Sequence, residues 1–461
     1  MAVANSHEVI RGSSGPRSRP ASGKLTLWPL VVATFFMVSG GTYGTEDIVR
    51  GAGYLGGILI LILTPLIWSL PTALMIGELS SAIPAEGGFY VWVRRAMGNL
   101  WGFQEAWLSL VASIFDMAIY PALFAAYLGR LFPWFAVEHH DVAIGVAVVA
   151  ACAALNLAGI RVVATTSVWL FFLLSSPFIV ITALALAKPG SLAHVASTPT
   201  TSHIGIVAGL LVAMWNYMGW DNASTIAGEI ANPQRTYPRA MLAAVALVAL
   251  SYIVPIGAMS LTRLSPTAWE TGSWAEIAGL LGGPALRAAL VAGGMISAFG
   301  MFNALVLSYS RLPYAMALDG MLPAVFARTT RRTGVPWLSI LVLSIAWAAC
   351  LGLGFERLVT IDILIYGGSL LLEFLALIVL RFTEPEMARP FQVPGGKTGV
   401  ALIGIFPALL LGFAIFESES ERILGMNALL FGATLVVAGF VVYGVGLAFA
   451  TAKPDSPDRK R

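Results

Sequence analysis

Charged side chains are scarce in this 461-residue sequence. Asp, Glu, Lys and Arg together make up 11% of it, where soluble proteins carry about 25%. That shortage excludes an ordinary water-soluble fold of this length. Cysteine is nearly absent as well, and Cys152 and Cys350 both lie in apolar runs, so neither a disulfide framework nor a thiolate metal site is indicated. The five histidines are scattered and show no metal-ligand spacing. No Gly-x-x-x-x-Gly-Lys-Ser/Thr loop is present to cradle a nucleotide phosphate, and no nucleophile–base arrangement speaks for an enzyme. A formal charge of +3 is too small to suggest a nucleic-acid partner. What the chain has in abundance is apolar: 58% of residues are hydrophobic and the mean hydropathy is +0.82. This is the composition of an integral membrane protein embedded in a lipid bilayer.

Twelve candidate spans approach the ~17–25 residues needed to cross a bilayer. They cover 27–50, 55–80, 100–131, 141–158, 164–187, 204–228, 238–261, 286–311, 336–354, 359–381, 399–416 and 425–449. Residues 1–24 contain no apolar core and read as a disordered cytoplasmic tail, not a cleaved signal peptide; 450–461 read as a second tail. Most of the 27 Lys and Arg fall in these tails and in the loops that both-termini-inside topology makes cytoplasmic. Arg50, Arg130, Lys188, Arg263, Arg287, Arg357 and Arg422 make the smaller outward set. The bias predicts cytoplasmic termini and a multi-pass protein of the plasma (inner) membrane. Residues 82–97 and 312–327 are too short and polar to span, and each is compatible with an interfacial helix; Tyr90 and Trp92 would then lie at headgroup depth.

Two interruptions organise the rest. Ser39-Gly40-Gly41-Thr42-Tyr43-Gly44 breaks the first span and is followed by Glu46 and Asp47. Asn216-Tyr217-Met218-Gly219-Trp220-Asp221-Asn222 breaks the sixth. Glycine clusters weaken a helix, and broken backbone at membrane depth survives only where protein or a polar cavity covers it. Breaks in corresponding positions of two halves mark a transporter's central site. With five spans per half, the second copy enters the membrane from the opposite side. The domains are therefore a first repeat over 25–190, an inverted second repeat over 200–382, and two appended helices over 399–449.

The substrate-binding set read from these stretches comprises Ser39, Gly40, Gly41, Thr42, Tyr43, Gly44, Glu46, Asp116, Tyr217, Gly219, Trp220 and Asp221, with Trp215 as a gate. The glycines would expose amides for a carboxylate and carbonyls for an ammonium group; the bland alternative is close helix packing. Acids inside spans are expensive and point to cation binding, proton exchange or a structural hydrogen bond. Trp215 could cover the substrate and offer a ring face to a cation. Ser308 and Ser310 are candidates near a coupling ion, Glu373 is a further intramembrane acid, and Glu78 and Glu229 are expected to lock loops to arginines.

The chain resembles the amino acid–polyamine–organocation superfamily over about residues 27–449, in particular its L-type amino acid transporter and plant-type polyamine uptake branches. The resemblance rests chiefly on Met214-Trp215-Asn216-Tyr217-Met218-Gly219-Trp220-Asp221-Asn222, on Ala227-Gly228-Glu229-Ile230, and on Asn232-Pro233-Gln234-Arg235-Thr236-Tyr237-Pro238-Arg239-Ala240. Ser39 to Asp47, Trp101 to Trp107, Ile119 to Phe124, Asp319 to Pro323 and Glu384-Pro385 with Arg389-Pro390-Phe391 point the same way. It implies an all-α membrane protein with a LeuT-like 5+5 inverted repeat, 12 transmembrane helices, discontinuous helices 1 and 6, and alternating access. By that likeness Trp215 falls at an aromatic gate. Gly41-Thr42-Tyr43 departs from the small-residue run ending in Ile-Phe of many amino acid permeases, and Gly159-Ile160-Arg161-Val162 lacks the embedded Lys of some proton-coupled relatives.

The leading reading is a secondary active transporter of polyamines or related organic cations. The alternatives are an L-type-like permease or exchanger for neutral or cationic amino acids, and, behind it, a non-transporting ligand sensor. The expected partner is a small-molecule substrate; no cofactor, metal, nucleic acid or required protein partner is indicated, and proton or sodium coupling stays open.

Overall fold

The first helix cannot continue past Val38. Ser39 turns extended (φ −141°, ψ 137°) and Gly41 and Gly44 take the left-handed region, which side chains with a Cβ avoid. The computed structural model of the chain describes residues 24–136, 140–195, 204–270, 272–351, 355–417, 422–423 and 426–451. The predicted tails, except Lys24 and the end of the last helix, lie outside them.

Fifteen α-helices run through the described residues. The first four are α1 (Leu27–Val38), α2 (Glu46–Thr64), α3 (Leu70–Ala82) and α4 (Phe89–Met97). They are followed by α5 (Asn99–Leu131), α6 (His140–Ala158), α7 (Ile160–Ala187) and α8 (Ile204–Asn216). Next come α9 (Pro233–Ser260), α10 (Trp274–Tyr309), α11 (Arg311–Leu318) and α12 (Trp337–Ala349). The last are α13 (Phe355–Thr383), α14 (Gly396–Glu417) and α15 (Ala428–Thr451), with a two-stranded ribbon, β1 (Arg422–Ile423) and β2 (Met426–Asn427), before α15. Helices α2 and α10 each kink where a glycine takes positive φ, at Gly53 and Gly283. A π-turn at Pro65–Ser69 joins α2 to α3.

Among the described residues, eight helical stretches are long and apolar enough to cross a membrane by length and composition; α1, α12 and Leu429–Val445 are shorter apolar helices. Of the four predicted spans outside these eight, the first and sixth are cut short for a physical reason, and α12 has only 13 residues. The predicted first and sixth spans stop at their breaks, so α1 and α8 end at Val38 and Asn216, and the outer part of the first span runs through Gly53 into the second. The outward faces carry bulky apolar groups: Trp169, Ile179, Leu409 and Phe416 are 67–70% exposed. In water such surface would drive association; hydrocarbon removes that cost.

At the centre, α5 packs against both α10 and α13, α7 covers α10, and α2 lies along α8. The last contact depends on two glycines. A Cβ on Gly205 would stand 2.7 Å from the Gly51 carbonyl oxygen, so backbone meets backbone there.

Short helices α4 and α11 occupy the two stretches expected to be interfacial. Tyr90 and Trp92, however, are fully buried. The Trp92 indole donates to the Ile83 carbonyl at 3.2 Å, tying α4 to the end of α3 instead of reaching outward. Around this end of the bundle the acids find arginines. Glu78 accepts two 2.6 Å hydrogen bonds from Arg381 and lies 3.3 Å from Arg389. Glu229 accepts from Arg311 at 3.0 Å. Glu384, outside the helices, pairs with Arg95, which holds its carboxyl below the ordinary value.

Arg311 and Glu229 are 1% and 4% exposed. Arg311→Met therefore strands a buried carboxylate and is expected to cost about 3–5 kcal/mol, with the double variant Arg311→Met/Glu229→Gln losing less. Thermal unfolding of purified protein in detergent measures both.

Candidate functional site

The two breaks touch. A Cβ on Gly219 would lie 2.6 Å from the Met37 carbonyl oxygen, and Gly219 has φ 87°, so glycine satisfies both the turn and the approach. Asn216 Nδ2 donates to the Gly44 carbonyl at 3.1 Å, and Tyr252 donates to the Asn216 carbonyl at 2.8 Å. Beyond Gly219 the chain does not resume an α-helix. It forms 3-10 turns at Trp220–Thr225 and Ala227–Glu229.

A narrow cavity, with about 50 Å³ open to the centre of a water molecule, lies beside this contact. Residues from α1, the first break, α5, α8, the second break, α10 and α13 line it. Of the residues singled out from sequence, it gathers Gly40, Tyr43, Gly44, Asp116, Trp215 and Gly219. Asp116 accepts hydrogen bonds from Tyr120 at 2.7 Å and from the side chain of Trp215. The proposed gate residue is thus joined to a carboxylate at the cavity wall.

The other sequence candidates stand back from the lining, each for a local reason. Ser39 Oγ accepts from the Gly41 amide at 3.0 Å, capping the break internally. Gly41 faces Leu174. The Thr42 hydroxyl donates to the Ser251 carbonyl at 2.7 Å. Glu46 accepts from the Gly272 amide at 3.0 Å, fixing a distant loop. Tyr217 donates to the Leu61 carbonyl at 2.9 Å, and the Trp220 indole donates to the Tyr217 carbonyl at 2.8 Å; both rings are fully buried packing. Asp221 is one layer behind the wall, accepting from the Tyr366 hydroxyl at 2.5 Å. Tyr366 lines the cavity and itself accepts from the Gly219 amide at 3.0 Å.

Several of the break's own carbonyls are taken by protein. The Gly40 carbonyl accepts from Ser297 at 2.6 Å, and the Thr42 carbonyl accepts from Trp274 at 3.1 Å and from Thr45 at 2.6 Å. Ser308 donates to Asn222 Oδ1 at 2.7 Å and Ser310 to the Leu307 carbonyl at 3.3 Å, so both hydroxyls fasten backbone turns.

Sequence reading missed Asp362, which lines the cavity from α13 and interacts electrostatically with Asp116 and Asp221. A signal for it existed. Asp362 and Tyr366 repeat the one-turn spacing of Asp116 and Tyr120, an acid and a phenol four residues on within an apolar span. Tyr127 and Tyr309 complete the aromatic wall; Tyr127 stacks edge-on with Tyr43, whose hydroxyl donates to the Leu290 carbonyl. Among the described lining residues there are two carboxylates and no Lys, Arg or His. Such a cavity offers negative potential, several ring faces and little for an anion.

Comparison with known proteins finds the amino acid permease family over residues 31–449. The chain is 35% identical to the polyamine transporter RMV1 of Arabidopsis thaliana across 423 residues, covering 89% of this chain and 84% of that one. It is 33% identical to the polyamine transporter PUT1 of Oryza sativa subsp. japonica across 453 residues, covering 97% and 84%. An uncharacterized transporter of Mycobacterium bovis is 28% identical over 88% of this chain and 87% of its own. Since the match runs from α1 into α15 and takes in both helix breaks and the carboxylate-lined cavity between them, the chain is a multi-pass membrane protein that belongs to the amino acid permease family, transporters and not enzymes.

Proposed function

We propose that this protein is a secondary active transporter of polyamines or related organic cations, working by alternating access around the cavity at the two breaks. The observation that carries the reading is the lining: Asp116 and Asp362 face a cavity without a basic residue among its described walls, with Asp221 one hydroxyl away. An ammonium group entering it would gain attraction that low dielectric strengthens, and ring faces at Tyr43, Trp215 and Tyr309 add cation–π contacts. The names of the plant relatives agree with this chemistry. An amino acid would bring its carboxylate beside two others, while the Gly40 and Thr42 carbonyls and the Gly41 amide of the first break already have protein partners.

The architecture that fits is the LeuT-like 5+5 inverted repeat of 12 transmembrane helices, with helices 1 and 6 discontinuous. The repeats then cover 25–190 and 200–382, with 399–449 appended. Orientation with both termini cytoplasmic in the plasma (inner) membrane follows from the bias in Lys and Arg. In this reading α1 and α8 with their breaks rock against a scaffold that includes α5 and α10. Trp215 closes over the substrate while holding Asp116. Nothing in the mechanism requires a protein partner.

Three outcomes test it in proteoliposomes made from purified protein. Asp116→Asn and Asp362→Asn should each weaken labelled putrescine uptake at least tenfold, the scale of about 1.5–3 kcal/mol for a charge-assisted hydrogen bond. Saturable uptake of a neutral amino acid that ignores putrescine would sink the polyamine reading. Trp215→Ala should cut uptake at least fivefold with folded yield near normal; a collapse of folded protein instead assigns the ring to packing.

A further inference from the structure

Besides Asp116, Asp221, Asp362 and the loop-held Glu46, two further carboxylates are buried between the same helices and have no role in the cavity itself. Glu105 on α5 and Glu373 on α13 are both 0% exposed. Among the described residues, neither oxygen of Glu373 has a hydrogen-bond partner, nor does Oε2 of Glu105, whose other oxygen accepts from Ser109 at 3.3 Å. Bare carboxylates at such depth are costly unless a cation or proton joins them.

Their spacing is regular. Glu105 and Asp116 stand eleven residues apart on α5, as do Asp362 and Glu373 on α13. Eleven residues make about three helical turns, so each helix carries its two acids on one face, ~16 Å apart. Asp362 interacts with Asp116, and Glu373 with Glu105. The helices therefore run antiparallel with one facing pair at each level. Asp221 interacts with Asp362, Glu105 and Glu373, which sets it between the levels.

Basic groups nearby are committed elsewhere. Arg381, two turns beyond Glu373, is held by Glu78 together with Arg389; Arg95 on α4 is held by Glu384, and Arg94 by Asp319. Among the described residues no three acids converge as a metal site would require. Charge spread along a line suits a ligand whose positive charges are themselves spread.

We propose that Glu105 and Glu373 form a second ammonium-binding subsite, three helical turns from the Asp116–Asp362 pair, so that a long polyamine bridges the two. This rests on the polyamine reading above and deepens it. An extended chain advances ~1.25 Å per bond given bond lengths near 1.5 Å. Spermine, with thirteen bonds between terminal nitrogens, reaches ~16 Å, whereas putrescine, with five, reaches ~6 Å. Spermine therefore matches the distance between levels, and putrescine can occupy only one level at a time.

The test uses full-length protein and equilibrium binding of putrescine, spermine and monoacetylspermine, which keeps the length but loses one terminal charge. Wild-type protein should bind spermine at least tenfold more tightly than monoacetylspermine. In Glu105→Gln/Glu373→Gln that ratio should fall toward one, with the loss for spermine exceeding the loss for putrescine at least tenfold. Equal losses for spermine and putrescine would overturn the subsite and assign the pair to a proton or to packing. Failure of wild-type protein to distinguish spermine from its acetylated form overturns it without any variant. If wild-type protein binds none of the three, the polyamine reading itself fails; if putrescine binds but the spermine preference is missing, only the second subsite fails.

Discussion

Everything near the cavity depends on how two broken helices satisfy backbone polar groups that lipid cannot reach. An open carbonyl or amide at membrane depth costs several kcal/mol, and each break must be met by side chains from other helices. Asn216 reaches the Gly44 carbonyl, Ser297 the Gly40 carbonyl, Trp274 the Thr42 carbonyl, and Tyr366 takes the Gly219 amide. These partners come from α8, α10 and α13. The breaks therefore fix the positions of the very helices that carry the cavity's other walls.

That requirement explains which parts were legible in the chain. Ser39 to Gly44 and Asn216 to Asn222 announce the breaks because glycine and short polar residues interrupt apolar periodicity, and the structure ends α1 and α8 at those positions. Glu78 and Glu229 were legible as loop locks because arginines stood within the same predicted layer. What could not be read was direction. Whether Thr42 points to a cavity or to Ser251 depends on how α9 crosses α1, and one-dimensional spacing does not carry that. Tyr217 and Trp220 belong to the same motif as Gly219, but the turn rotates their rings into packing against α2 and the motif's own backbone. Asp362 was missed because a lone acid near the start of a span resembles a loop residue until Asp116 is seen beside it.

The sorting of acids across the molecule is informative in itself. Glu78, Glu229, Glu276 and Glu384 are paired with arginines. Asp116, Asp221 and Asp362 are met by hydroxyls, an indole or one another, with no ion pair among the described residues. A structural acid is best neutralised permanently, since a buried pair broken on one side is strongly destabilising. An acid meant to receive a cation that comes and goes must be left unneutralised by protein, and held by neutral donors that orient it without competing for its charge.

Neutral donors also offer a way to connect occupancy with closure. Trp215 gives one hydrogen bond to Asp116 and presents its ring to the cavity. Tyr366 ties Asp221 to the Gly219 amide, the hinge of the second break. A cation drawing on either carboxylate shifts the acceptor to which a moving segment is fastened. The two break-proximal contacts would then respond together, because Gly219 sits against Met37 of the first helix. A ligand can shift a conformational equilibrium only through contacts that differ between the states, and in the proposed cycle these hydrogen bonds would supply such contacts at the point where both broken helices meet.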